Sequence, residues 1–541
     1  MVEKIALIWP EIALFITTCL VMILGLSPNK QWRSLCLPAS VAGLVVAGFL
    51  AALGMRNDGP LADTALPFLP SYVKVVISVV GVLLVILQAG LIDRREESLV
   101  SKGRAFNPLR TNRAEYFSLV LFSLTGLMLC ASASDLIWLF LALELTSLPT
   151  YVMVAMSSSR NRAQEAGVKY FYLGALGAAT FLYGFVMLYG GTGTLKLGPM
   201  AQIIADEGIN PITMIGLLLT VAGLAFKIAA VPMHFYTAAV YQGAAAPVTA
   251  FLAFVPKTAG FVALLLVCST VGWSYGENGD ALPEALRVML WVMAAVTMTV
   301  GNVLAILQSS VKRMLAYSSI AHSGYMLVGV LAGPGDGTFA SSGVAAVLFY
   351  ITAYGIMNTG AFAVISCLER RAADRGEPLE VDDFDDLRGL WKREPALGVV
   401  LAIVTLSLLG FPPLLGFMAK LPLFTAGISA GEIVLVVILG LNSAIAAFYY
   451  LRIVKAAMID EPKGEADSPD VAMHHPAYRL RLATGVCSAV GVIGLAVLAG
   501  QLASTTASAS GYVPPVAGGP QTRDGVMAVV EPTEVQVDPS V

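Results

Sequence analysis

Residues 224–235 read LAFKIAAVPMHF and residues 408–420 read LLGFPPLLGFMAK. Each segment sets one lysine, Lys227 or Lys420, in an apolar run close to proline: Pro232 in the first, Pro412 and Pro413 in the second. Proline removes a backbone donor and clashes with the preceding turn, so both runs are predicted to form interrupted helices. A lysine at mid-membrane costs about 2.5–3.5 kcal/mol on insertion scales, so it faces a polar interior rather than lipid. Interrupted helices in matching places of two halves are the mark of transporters built from internal repeats, with ion sites near the midplane.

Outward from these segments the chain stays apolar. It has 541 residues, 57% of them hydrophobic and only 13% charged. A soluble domain needs about a quarter of its residues charged, so most of the outer surface here is expected to face lipid. Fourteen apolar stretches, from residues 5–25 to residues 480–503, approach the roughly 20 residues that a spanning helix requires. Basic residues test that count. About 24 of the 33 lie in or beside the odd-numbered loops, clustered at 94–113, 160–169, 312–313 and 370–393. The expected fold is an all-α polytopic membrane protein with about 14 transmembrane helices, both termini extracytoplasmic. Two inverted five-helix repeats with broken helices are expected at 116–271 and 285–457. Three helices in 1–115 precede them, one in 458–503 follows, and 504–541 reads as a disordered tail.

Several chemistries are excluded. Cys19, Cys36, Cys130, Cys268, Cys367 and Cys487 stand singly, without the C-x-x-C pairs of iron–sulfur, zinc or disulfide-exchange sites. His234, His322, His474 and His475 lack metal-ligand spacing, and no glycine-rich dinucleotide fingerprint is present. No metal, cofactor or redox centre is therefore expected on this chain. With a net charge of −3 and no basic tract, no nucleic-acid partner is expected.

Ionisable groups within the apolar stretches carry the functional signal. Lys257 joins Lys227 and Lys420, and Glu144 lies in LIWLFLALELTSLPTYV at 136–152, where Pro149 is expected to loosen the helix. Burial disfavours a charged lysine and a nearby carboxylate favours it, so a movable pair can load and release a proton. His234, at the first break, is either a structural group or an accessory proton carrier. Lys169, at the edge of a span, is either an anchor or a channel-mouth group. Glu11 is read as a subunit contact or an interfacial charge. The loop at 369–394, with VDDFDDL, is either solvated or docked on a neighbour.

From residue 5 to about 500 the chain resembles the antiporter-like membrane subunits of bacterial respiratory complex I, the NADH–quinone oxidoreductase. The matching stretches are LELTSLPTYV, EAGVKYFYLGA, AFKIAAVPMHF, LAYSSIAHSGYM, LSLLGFPPLLGFMAK and LNSAIAAFYYLRI. The first, with NSAIAAFYYLR, is similar to the wording of subunit N. This resemblance implies a proton relay in which Glu144 pairs with Lys227, Lys257 is central, His322 is intermediate and Lys420 is terminal. It also implies a place in the bacterial inner membrane beside other membrane subunits. FMN, iron–sulfur clusters and quinone would sit in the NADH-oxidising and quinone-reducing partner subunits. One departure follows Pro232. The family reads H-F-W-x-P-D, whereas here His234, Phe235, Tyr236, Thr237, Ala238 and Ala239 follow. The alternative implied by the same resemblance is a subunit of a multi-subunit, Mrp-type cation/proton antiporter.

Overall fold

The computed structural model describes residues 7–55, 64–158, 161–276, 280–371, 378–380, 382–462, 471–474 and 477–515. Eleven of its helices are long and apolar enough to cross a membrane. The shorter α1 (Trp9–Gly25) precedes α2 (Cys36–Gly54) and α3 (Leu69–Leu87). A first run of five crossings follows: α4 (Arg113–Ala131), α5 (Leu136–Met156), α6 (Asn161–Thr192), the interrupted pair α7 (Pro211–Lys227) and α8 (Thr237–Gly243), and α9 (Ala246–Val271). The second run is α10 (Glu284–Ile306), α11 (Val311–Ala332), α12 (Gly343–Cys367), the interrupted pair α13 (Pro395–Leu409) and α14 (Leu415–Ser429), and α15 (Ile433–Met458). With α16 (Tyr478–Val497), and each interrupted pair counted once, the described residues make fourteen crossings.

Local chemistry explains the helix starts. Asp135 caps α5 by accepting from the Trp138 amide (2.8 Å), and Asn210 caps α7 from the Thr213 amide, just ahead of Pro211. Ser310 and Ser342 cap α11 and α12 in the same way. Pro149 lies inside a continuous α5, so the expected loosening does not interrupt that helix. Its missing amide falls among Ser147 and Thr150, whose hydroxyls bond to main-chain carbonyls.

Loop contacts fix the parity of the crossings. Arg33, after α1, binds Glu97, after α3, at 3.0 Å. Strands β1 (Leu368–Arg371), β2 (Pro378–Glu380) and β3 (Val471–His474) form a small antiparallel sheet, so the chain after α12 meets the chain after α15. Asp135 bridges Lys196, and Val513 bonds to Ala65, on the opposite parity. Odd-numbered loops meet odd and even meet even in each of these contacts. The runs that begin with α4 and α10 therefore start on opposite faces, with the break in the fourth crossing of each.

Helices α9, α11 and α12 are buried throughout nearly all their length, while α2, α6, α15 and α16 turn large apolar side chains outward. The centre of the molecule is accordingly a bundle screened from lipid by its own helices. Polar side chains on α9, α11 and α12 thus have protein partners rather than lipid as their surroundings.

Two expectations are corrected. Residues 504–509 belong to helix α17 (Ala499–Ala509), and the chain then packs back on the body: Tyr512 sits edge-on to Trp273, with centroids 5.6 Å apart. The expected tail therefore does not begin at 504, and residues 516–541 lie outside the described ones. Glu11 is no interfacial charge or subunit contact. It is buried and pairs with Lys74 at 2.8 Å, and the Ser132 hydroxyl donates to it. Lys74 is thus a further lysine within an apolar helix, beyond the three expected.

Candidate functional site

Lys227 ends α7. Its amine donates to Glu144 Oε1 at 3.0 Å and to the Ser147 hydroxyl at 2.8 Å. Glu144 and Ser147 lie three residues apart on α5, hence on one face. The lysine side chain is 1% exposed and that of Glu144 is 18% exposed, so the pair is closed on the amine side and partly open on the carboxylate side.

Beyond Lys227 the backbone leaves the helix at Ile228, with Ala229 in the left-handed region (φ 55°), and resumes at α8. Freed main-chain groups find partners on the second run. The Ser323 hydroxyl of α11 donates to the Ile228 carbonyl (2.6 Å), and the Val231 amide donates to the Thr297 hydroxyl of α10 (3.0 Å). In lipid such groups would have no partner, so irregular backbone persists only inside a polar seam like this one.

The seam runs along α11. Lys257 of α9 donates to both the carbonyl and the hydroxyl of Ser319, and its ammonium stands 5.5 Å from the Tyr354 ring centroid. One turn on, His322 bonds to the Tyr350 hydroxyl through Nδ1 (2.6 Å) and to the Tyr450 hydroxyl through Nε2 (2.8 Å). Its ring lies 5.0 Å from that of Tyr354 and 5.5 Å from that of Tyr325. The Lys420 ammonium in turn stands 5.2 Å from the Tyr325 centroid and donates to the Leu409 carbonyl (2.7 Å) at the end of α13. That carbonyl lies at the negative end of a half-helix, which favours a cation. The ordered sequence is therefore Lys257, Tyr354, His322, Tyr325, Lys420, with Ser319 and Ser323 leading back toward Lys227.

Of the expected residues, Glu144 and Lys227 touch directly, whereas Lys257, His322 and Lys420 are linked through serine and tyrosine side chains. Lys169 is exposed and pairs with Glu165 four residues away (2.5 Å). His234 lies in the break and packs its ring 4.7 Å from that of the exposed Phe235. Neither is drawn into the seam by these contacts. His475 lies outside the described residues. Asp382, in the acidic loop, accepts from the Ser310 hydroxyl (2.7 Å) and the Lys312 amide (3.0 Å), so the loop is held against its own chain. No cluster of three His, Cys, Asp or Glu able to hold a metal occurs among the described residues.

Sequence reasoning missed Ser319, Ser323, Tyr325, Tyr350, Tyr354 and Tyr450. A signal was available, since Ser319, His322, Ser323 and Tyr325 in SSIAHSGY recur at three- and four-residue spacing on a single helix.

The family model for the membrane domain of NADH:quinone oxidoreductase and Mrp antiporters matches residues 133–446, from the start of α5 into α15. Subunit N of the NADH-quinone oxidoreductase of Nitrosomonas europaea is 38% identical over 459 residues, covering 84% of this chain and 89% of that one. The chain belongs to the NADH-quinone oxidoreductase subunit N family. Subunit N of Thiobacillus denitrificans is 36% identical over 497 residues, covering 90% and 94% of the two chains. A chain of the respiratory complex I of Thermus thermophilus with bound aureothin superposes with a TM-score of 0.71 and 31% identity, over 92% of this chain and 98% of that one. A chain of the Mrp complex from a Dietzia species superposes with a TM-score of 0.74 over 94% and 97%, but at 20% identity this likeness shows the fold alone. The protein is a multi-pass, antiporter-like membrane subunit of a proton-translocating NADH:quinone oxidoreductase.

Proposed function

We propose that protons cross this subunit by a relay through Glu144, Lys227, Lys257, His322 and Lys420. The observation that carries this reading is the bracketing of His322 between Tyr354, below the Lys257 ammonium, and Tyr325, below that of Lys420. A proton taken from the cytoplasmic face loads Lys227, which becomes an ammonium ion held by Glu144. Weakening that pair releases the proton toward Lys257. Hydroxyls and water then carry it past His322 to Lys420, which returns to the neutral amine as the proton leaves on the other face.

Electron transfer from NADH to quinone takes place in partner subunits, which hold FMN and iron–sulfur clusters, and supplies the drive. Expelling one charge against 100 mV needs about 2.3 kcal/mol, comparable to a change of less than two pKa units at 1.36 kcal/mol each. Making or breaking one buried ion pair is on that scale. Basic residues concentrate in the odd-numbered loops, so that face is assigned to the cytoplasm and both termini to the outside.

Lys227→Ala in the assembled complex tests the relay. NADH oxidation in uncoupled membranes is expected to persist while protons translocated per NADH fall. An unchanged ratio in a fully assembled variant overturns the relay.

A further inference from the structure

Four aromatic rings cluster on α5, α6 and the two sides of the break at Lys227 without a part in the relay. Tyr151 follows Ser147 by one turn on α5, toward Met156 and Ser157. The Ser157 hydroxyl accepts from the Ala245 amide beyond α8 (3.2 Å), which marks that end as the face of the basic loops. Tyr151 is seven residues past Glu144, about 10 Å along the helix axis toward that face. Tyr170 lies nine residues into α6, which starts from the same face. Phe226 directly precedes Lys227, and Tyr236 directly precedes α8. All four are buried.

The rings form one block. Tyr170 stacks on Tyr236 (5.1 Å, 11°), Tyr236 on Phe226 (4.4 Å, 29°), and Tyr151 meets Tyr170 edge-on at 4.5 Å. α6 is cut back to admit them. A Cβ at Gly174 would collide with the Tyr151 phenol, and one at Gly177 would come within 2.8 Å of Phe226 Cβ. The Tyr236 hydroxyl donates to the Phe226 carbonyl (2.8 Å), so the block is tied across the break to the residue beside Lys227.

We propose that Tyr151, Tyr170 and Tyr236, backed by the Phe226 ring, form the closed gate between Lys227 and the face of the basic loops. The assignment rests on the relay proposed above and adds the control of its entrance. Stacked rings leave no space for a water file, and a protonic charge does not cross a dry aromatic layer. Three of the four rings carry hydroxyls, so parting them would line the opened passage with groups that bind water. Tyr236 sits on irregular backbone between two half-helices, where a local turn of the chain would withdraw its ring from Tyr170 and Phe226.

Thiol access tests the gate without requiring turnover. In a chain whose six cysteines are replaced by alanine, Ser147→Cys reports on the inner side of the block. Lys392→Cys reports on the exposed loop face. Inverted membranes carrying the assembled complex are treated with a charged methanethiosulfonate. With the block intact, position 147 is expected to react at least about tenfold more slowly than position 392. Tyr236→Ala should remove most of that difference, and Tyr236→Phe, which keeps the ring, should preserve it. If Tyr236→Ala prevents assembly, Tyr170→Leu serves in its place with the same expectation. Equal rates with the block intact, or no acceleration on opening it, overturn the gate. Since labelling is independent of pumping, failure of the relay itself would show separately, in the proton ratio of Lys227→Ala.

Discussion

Two triads of the same composition stand in this protein: Glu144, Lys227 and Ser147, and Glu11, Lys74 and Ser132. They differ in setting. The first adjoins broken backbone and is partly open at its carboxylate, whereas the second joins the unbroken helices α1 and α3 to the end of α4, with Glu11 buried. The second is accordingly a structural tie. Removing one partner of a buried pair costs about 3–5 kcal/mol because the other charge is stranded, while removing both is often neutral. Lys74→Met is therefore expected to reduce the amount of assembled complex on native gels, and Glu11→Gln combined with Lys74→Met to restore much of it. A double variant no better than the single would refute the pairing. The contrast also shows what sequence could tell. Lys227 announced itself by its proline-broken context, but Lys74 sits near the start of an ordinary span, and nothing local reveals that its partner is Glu11. The relay hydroxyls were harder still, because serine and tyrosine carry no insertion penalty large enough to stand out in an apolar run.

At the scale of elements, both breaks were legible because proline leaves a definite mark on a helix. What could not be read was how the freed backbone would be satisfied. That task falls to Ser323 and Thr297, on helices of the second run. Leaving a buried donor unpaired costs about 1–3 kcal/mol. Thr297→Val, which strands the Val231 amide, is expected to shorten the half-life of proton pumping at elevated temperature, while Thr297→Ser keeps the acceptor and the half-life. Equal half-lives for all three proteins would show that the break does not depend on this bond. The acidic loop makes a related point. Its charge pattern fitted a solvated segment, yet Phe384, Asp386 and Leu387 are buried and Asp382 caps α11. The pattern of charges alone does not show that capping contact.

For the whole molecule, apolar length and the alternation of basic loops were enough to count the crossings, since lipid leaves the backbone little choice but helices. Helix α17 and residues 511–515 escaped that logic, being too polar to read as a span and too short of periodicity to read as a surface helix. They lie on the even-loop face, where Val513 bonds to Ala65 (2.9 Å) and Tyr512 packs on Trp273. Ending the chain after Leu498 is therefore expected to lower the melting temperature of the complex, whereas ending it after Pro515 should not. No difference between the two truncations would remove α17 from the folded body.

The single pathway is the claim on which the rest depends, and it is tested by counting protons per NADH in proteoliposomes for Lys227→Ala, Lys420→Ala and the double variant. One continuous relay predicts the same shortfall in all three, because a path cut once carries nothing more to lose. A double variant that loses the sum of two separate shortfalls, or single variants that pump at the full ratio, would contradict it.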